Sequence, residues 1–292
     1  MIDPTYLGQI LVNGIGVGCI YGLIGIGFCV IYNASGIVNV AQGAFVMLGG
    51  MICHLLIAKA GLPLIAAGVL ATLAVALLGV ALERLVVRPL WDRNATMFVM
   101  ILATLAAQIV VERAMLLLVG DQPKSIPVFT DLPPIRIAGV AIGYQLLWIV
   151  GVSVLLITLL NAFFQRTLVG RAMRACAINR EAAALQGIPV SWMLALSFAL
   201  SAGLGAIAGI LVTPTQYTAY NVGTPFAISG FIAAIVGGFG RPLGAFLGGI
   251  ILGVAQSLAV VTFGSGMKNV AALSVLLIFL FFRPTGLLGS SK

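Results

Sequence analysis

Apolar residues fill this chain in long unbroken runs separated by short polar breaks, without the strict alternation that marks a half-buried strand. The first run extends from Tyr6 to Ile31, and its Gly14, Gly18 and Gly22 recur every four residues, which places them on one helical stripe. A polar break at Asn33 to Asn39 leads to a second run, Val40 to Ile57, that contains Gln42 and His54. A third, Leu62 to Leu82, ends in Glu83, Arg84, Arg88, Pro89, Asp92 and Arg93, a cluster expected in water or headgroups. The fourth begins near Ala95 and reaches Glu112 and Arg113, an adjacent charge pair expected at the membrane interface and not at the bilayer centre. After a Pro-rich stretch from Gly120 to Gly143, which has room for short strands, come Tyr144 to Phe164, Trp192 to Val212, Phe226 to Phe239, Leu243 to Val261 and Asn269 to Phe282.

A helical crossing of a hydrocarbon core about 30 Å thick takes roughly 20 residues. Most of the runs reach that length, while Phe226 to Phe239 is short and reads as a half-helix or a broken span. The pattern predicts an all-α, polytopic transmembrane helical bundle of about 8–9 spans, forming one domain over residues 1–292. Composition agrees, since 61% of the 292 residues are hydrophobic, more than a soluble domain of this size can hide. The alternating segments of about ten residues expected of a transmembrane barrel are missing. Asp3 precedes the first run and no Lys or Arg does, so that run is expected to be a retained helix and not a cleaved signal.

The net charge of +8 sits in short loops, which argues for membrane orientation and against nucleic acid. Nine crossings with the N-terminus outside put Arg84, Arg88, Arg93, Arg166, Arg171, Arg174, Arg180, Arg241, Arg283 and Lys292 on the cytoplasmic side. Lys59, Arg113, Lys124, Arg136 and Lys268 then lie outside, a two-to-one bias in the sense of the positive-inside rule.

No catalytic or metal-binding constellation is present. The chain has no G-x-x-x-x-G-K-[ST] loop, no G-x-S-x-G elbow and no H-E-x-x-H pair. Gly203-Leu-Gly205-Ala-Ile-Ala208 fits a dinucleotide fingerprint only on paper; inside an apolar helix, with no strand before it, it reads as helix packing. His54 is the sole histidine and reads as structural or pore-lining. The cysteines Cys19, Cys29, Cys53 and Cys176 show no CxxC spacing and read as small packing residues.

The loop at about 165–191 is the exception to this apolar monotony, holding Arg166, Arg171, Arg174 and Arg180. Arg171 and Arg174 are three apart and share a face of any helix they join. Asn179 is a good N-cap, Glu181 suits the first turn, Ala182 to Leu185 propagate a helix, and Gly187 followed by Pro189 stops it. A short capped helix outside the bilayer is the shape of a rigid docking knob.

Here the residues resemble a known family. Gly170-Arg171-Ala172-Met173-Arg174-Ala175, with Ala182 to Gly187-Ile188, is similar to the cytoplasmic coupling loop of bacterial ABC importer permeases, most of all the branched-chain amino-acid permeases of the LivH type. Further matches follow in order: Gly27 to Gly50 around Asn39, Ala41 and Gly43; the glycine-rich Gly237 to Gly253; and Arg283 to Gly289. Gln42 departs from the pattern, since relatives usually carry His there.

The resemblance implies an inner-membrane permease subunit working with a second permease (a paralogue by preference), two cytoplasmic ATPases and a periplasmic binding protein. ATP and Mg would then be bound by the ATPases, with no cofactor in this chain. It also implies that Gly170, Arg171, Arg174, Asn179, Glu181, Ala182, Ala184, Leu185 and Gly187 couple to an ATPase. Asn13, Asn39 and Gln42, uncharged polar groups in or beside apolar spans, are the candidates for the substrate pathway. Gly203, Gly205 and Gly209, and later Gly244, Gly248, Gly249 and Gly253, offer smooth surfaces for helices to slide on or to pack statically. The competing class is a secondary transporter or channel acting alone. It is disfavoured because all seven acidic residues fall at expected span ends or in loops.

Overall fold

The computed structural model describes residues 4–283 and 285–288. Pro284 and Gly289 of the C-terminal motif, and Lys292 and Asp3, lie outside the described residues. Among the described residues eight helices are long and apolar enough to cross a membrane. The chain runs through α1 (Pro4–Ser35), α2 (Gln42–Ala60), α3 (Leu64–Leu82), α4 (Arg88–Asp92), α5 (Met97–Val119), β1 (Ile135–Ile137), β2 (Val140–Ile142), α6 (Tyr144–Arg166), α7 (Leu168–Ile178), α8 (Arg180–Leu185), α9 (Val190–Gln216), α10 (Gly223–Gly237), α11 (Pro242–Phe263) and α12 (Lys268–Phe282).

Small residues decide which helices meet. A methyl group on Gly14 would stand 2.8 Å from the Val254 backbone, on Gly18 2.6 Å from that of Ile250, and on Gly22 3.0 Å from that of Phe246. The pairing descends on one helix as it rises on the other, so α1 and α11 are antiparallel and in backbone contact along the predicted glycine stripe. In the same way Gly79 meets Phe198 and Ala202, and Gly68 faces Ile210, which sets α3 antiparallel to α9. Gly49 lies against Ala206 and Gly50 against Thr213, so α2 runs parallel to α9. Gly237 abuts Gly244 and Gly248 abuts Ala233, which turns α10 against α11.

These directions make α1–α2–α3 and α9–α10–α11 inverted copies of one arrangement, each long helix of one copy packing on the third helix of the other. Most of the candidate sliding glycines are thus tightly packed; Gly203, whose nearest neighbour for a methyl group is 3.8 Å away, is the loose one.

The short run expected around Phe226 to Phe239 is α10, whose 15 residues rise about 22 Å, less than the bilayer core. It is a half-helix. The cluster after Leu82 is no loop: α3 continues through a π-helical turn, Glu83–Val87, into α4. Glu83, expected in water, is fully buried there with both carboxylate oxygens unpartnered. The Pro-rich loop holds the β1–β2 hairpin, in which Ile137 pairs with Val140 across Ala138 and Gly139. Both turn residues have positive φ, the geometry of a two-residue hairpin loop. Gln9 of α1 clasps this hairpin, its Nε2 donating to the Ala141 carbonyl and its Oε1 accepting from the Ala141 amide, each at 3.0 Å.

Candidate functional site

The short helix α10 and the helix α2 begin at the same place. Gly43 in the first turn of α2 and Gly223 at the start of α10 are in mutual backbone contact, with no room for a Cβ on either. Each is led in by an Asn-Val pair, Asn39-Val40 and Asn221-Val222. Gln42 lies against Gly27 and Ser201, both well inside α1 and α9, so α2 starts within the bundle.

The depth of α10 is set by α5. Gln108, eleven residues from Met97 and eleven from Val119, is the midpoint of α5, and its Nε2 donates to Thr224 Oγ1 at 2.7 Å. Two helix N-termini therefore converge near mid-bundle, where their partial positive charge meets a poorly screening medium.

A polar stripe on α5 faces this junction: Thr104, Gln108 and Glu112, spaced by four residues. Thr104 Oγ1 accepts from the Val40 amide at 3.2 Å. Glu112 Oε1 accepts from Gln108 Nε2 at 3.0 Å and from Thr224 Oγ1 at 2.9 Å. Gln108 is 3% exposed, and its Oε1 is a buried acceptor without a donor. Asn39, 1% exposed, uses Oδ1 to accept from the Ala41 amide at 3.2 Å and leaves Nδ2 unpartnered. The first turn of α10 has no side-chain cap, and Pro225 brings no N–H, so the Gly223 and Thr224 amides head the helix unpaired among the described residues.

This corrects the expected place of Glu112. It is seven residues short of the end of α5 and turned toward α10, while its neighbour Arg113 is exposed. The structure also separates the three pathway candidates. Asn39 lies at the junction. Gln42 is completely buried as a clasp between helices: its Nε2 donates to the Ser201 carbonyl at 3.1 Å, and Ser201 Oγ, 2.7 Å from its Oε1, also reaches the Gly27 carbonyl at 2.8 Å. Asn13 is exposed near the hairpin end of α1, next to Gln9. Gln108 and Glu112 were readable as a polar pair four apart inside an apolar run; Thr224 carried no signal of its own. His54 bonds through Nδ1 to the Ser125 carbonyl at 2.6 Å, tying α2 to the Pro-rich loop.

The basic loop holds two helices. Thr167 caps α7, its Oγ1 accepting from the Gly170 amide at 2.9 Å. Gly170 is buried where α7 folds back on Phe163 and Phe164, and a Cβ there would strike the Phe163 carbonyl. Arg171 and Arg174 lie on the exposed face, opposite the buried Met173 and Cys176. Burial in low dielectric pushes the Cys176 thiol pKa up, against the opposing effect of Arg180.

Asn179 ends α7 and caps α8, Oδ1 accepting from the Ala182 amide at 3.0 Å, and Glu181 occupies the first turn as expected. Gly187 stops α8 at φ +78°, a left-handed conformation costly for any residue with a Cβ. Ala183 packs inward, while Glu181, Ala182, Ala184 and Leu185 are exposed, Leu185 by 88%. Arg180 stacks on Trp91 of α4 with its guanidinium carbon 4.1 Å from the ring centre. Its pKa is lowered by burial. Removing the cap by Asn179→Ala is expected to destabilise α8 by about 1 kcal/mol. Hydrogen exchange at the Ala182 and Ala183 amides should accelerate several-fold while α7 is unaffected; equal rates would deny the cap.

Three comparisons bear on this arrangement. Residues 10–282 match the family model described as branched-chain amino acid transport system, permease component. The chain is 36% identical to the high-affinity branched-chain amino acid transport system permease protein BraD of Pseudomonas aeruginosa, covering 97% of this chain and 96% of the relative. It is 30% identical to the high-affinity branched-chain amino acid transport system permease protein LivH of Escherichia coli at the same coverage. The solved structure of PsaBC from Streptococcus pneumoniae in complex with Fab is similar in fold, with a TM-score of 0.52, 13% identity, and coverage of 95% of this chain and 92% of that one.

Proposed function

This chain belongs to the branched-chain amino acid transport system permease component family, and from that premise we propose that it forms half of an importer's membrane pathway for branched-chain amino acids or related small polar compounds. In this reading two ATP-hydrolysing subunits dock on the basic loop, and a second permease, a paralogue by preference, completes the pathway. A soluble binding protein delivers substrate at the opposite end. ATP and Mg belong to the ATPases. The basic loop is cytoplasmic in the bacterial inner membrane and the N-terminus is outside, in keeping with the two-to-one excess of Lys and Arg toward the loop's side.

The observation that carries the docking assignment is Leu185, an 88% exposed leucine at the tip of a helix capped at both ends. An apolar side chain so exposed on a short rigid helix is suited to a pocket in a partner. Gly170, Arg171 and Arg174 on α7, and Asn179, Glu181, Ala182, Ala184 and Gly187 around α8, support and surround that tip.

Uptake of labelled leucine into ATP-loaded vesicles should require the ATPases. Uptake by this chain alone, driven by an ion gradient, would overturn the reading in favour of a secondary transporter, for which Glu112 would be the coupling carboxylate. Leu185→Asp or Glu181→Lys is expected to weaken ATPase association by roughly tenfold or more and leave membrane insertion intact. Unchanged pull-down of the ATPase in both variants would remove α8 from the interface.

A further inference from the structure

We propose that the junction of α2, α5 and α10 is a mid-membrane binding site for the backbone of an α-amino-acid zwitterion, with Glu112 and Gln108 receiving the ammonium and the N-terminus of α10 receiving the carboxylate. The inference rests on the amino-acid importer reading above and assigns that pathway its polar contacts.

The chemistry of the groups points to such a ligand. Glu112 offers a carboxylate, and Gln108 offers a buried Oε1 with no donor. Orphaned buried acceptors are costly unless a donor arrives. The amide orientation of Gln108 follows from its partners, because Nε2 donates to Thr224 and Glu112 while Thr224 donates to Glu112. Oε1 is left to receive a donor that this chain does not supply. On the other side of Thr224, the free amides of Gly223 and Thr224 and the dipole of α10 favour an anion.

Thr224 belongs to both halves, so the acceptor pair and the amide pair are adjacent. An α-amino acid carries its ammonium and carboxylate on one carbon and so offers both charges to neighbouring groups. A lone anion would leave Gln108 Oε1 unpaired, and a lone cation would sit against the positive end of the helix. Thr224 is exposed, and Ile228, 52% exposed one turn further along α10, supplies an aliphatic surface beside the site. Polar groups at this depth cannot face lipid tails without cost, so this face lines a pathway closed by another subunit.

The test uses the full importer, with its partner permease and ATPases, purified in detergent without the binding protein. The thermal shift produced by L-leucine is compared with those of 4-methylpentanoate, which lacks the ammonium, and 3-methylbutylamine, which lacks the carboxylate. Leucine should stabilise the complex at concentrations at which neither analogue does. Glu112→Gln and Gln108→Leu should each raise the leucine concentration for half-maximal shift by roughly tenfold to a hundredfold, the size of one lost charge-assisted hydrogen bond. Without ligand both variants should melt near the wild-type temperature, which separates a lost response from a lost fold.

Equal responses in wild type, Glu112→Gln and Gln108→Leu would overturn the site. Equal stabilisation by leucine and 4-methylpentanoate would overturn the ammonium assignment. If the variants respond normally while the wild-type importer takes up leucine with ATP, the site fails and the importer reading stands. If the wild-type importer with its binding protein moves no amino acid, both fall together.

Discussion

Leucine in place of Gly253 is expected to abolish the folded permease. Any Cβ at this position would overlap the Gly14 carbonyl and the Gly18 backbone. The obstruction is main chain, so no rotamer change relieves it. The same seam includes Gly249 against Gly18 and Gly22, and it joins the first helix of one inverted copy to the third helix of the other. Inserting an isobutyl group would force α1 and α11 apart along their length, and the lost packing would exceed about 4 kcal/mol, comparable with much of a protein's net stability. In detergent the variant should elute as aggregate and show no cooperative melt. Gly151, beside which a methyl group would meet nothing within 4 Å, serves as control, and Gly151→Leu should leave the profile near wild type. A Gly253→Leu protein melting within about 2 °C of wild type would contradict the seam.

The second large effect is expected from Arg180→Ala, and it falls on coupling and not on folding. Arg180, together with the buried Ala183, is where α8 touches the membrane domain. Its guanidinium covers Trp91 at the end of the α3–α4 helix and lies against Gly36, where a methyl group would come 3.1 Å from it. Gly36 holds φ +65° and starts the segment that leads to the inner end of α2. Displacement of α8 by an ATPase would therefore press on the two elements that lead to the mid-membrane junction.

With alanine there, ATPase binding and basal hydrolysis should persist, while uptake falls roughly tenfold or more, as expected when a partly buried cation–π contact worth about 2 kcal/mol is removed. Arg180→Lys should recover part of the loss, because an ammonium keeps the charge and loses the planar stack. Uptake within twofold of wild type in Arg180→Ala would show that motion reaches the junction by another route.

Much of this was legible along the chain because its physical causes are local. Hydrocarbon thickness sets the length of a span, so the runs between polar breaks located most long helices to within a few residues, while α5 continues seven residues past Glu112, where the run was expected to end. Asn179, Glu181 and Gly187 act on the backbone of their own segment, and they define α8 where their spacing places it. The α7 helix before it was read only as a shared face for Arg171 and Arg174. Its cap, Thr167, and its fold back upon α6 at Gly170 depend on contact with Phe163 and Phe164.

Placement across the bundle was a different matter. Glu112 and Arg113 look alike in sequence as a charge pair near a span's end, and only the seating of α5 against α10 turns Glu112 toward Thr224 and leaves Arg113 exposed. Glu83 seemed the start of a water-exposed cluster, but the helix continues through a π turn and buries it. Gln42 reads as a polar group available to substrate until Ser201, itself bonded to the Gly27 carbonyl, takes up its amide from a helix far away in sequence.

The sequence by itself determined a helical membrane bundle, its approximate spans, a capped loop helix and one run too short to cross, because each of these follows from hydrophobic length and backbone chemistry within a segment. Only the tertiary structure decided that the short helix begins at mid-depth opposite Gln108, that α2 begins beside it, and that Glu112 is turned toward Thr224 at the start of the short helix. Those facts depend on which glycine stripes find each other across the inverted copies, a choice made by backbone contact between segments that no single stretch of sequence specifies.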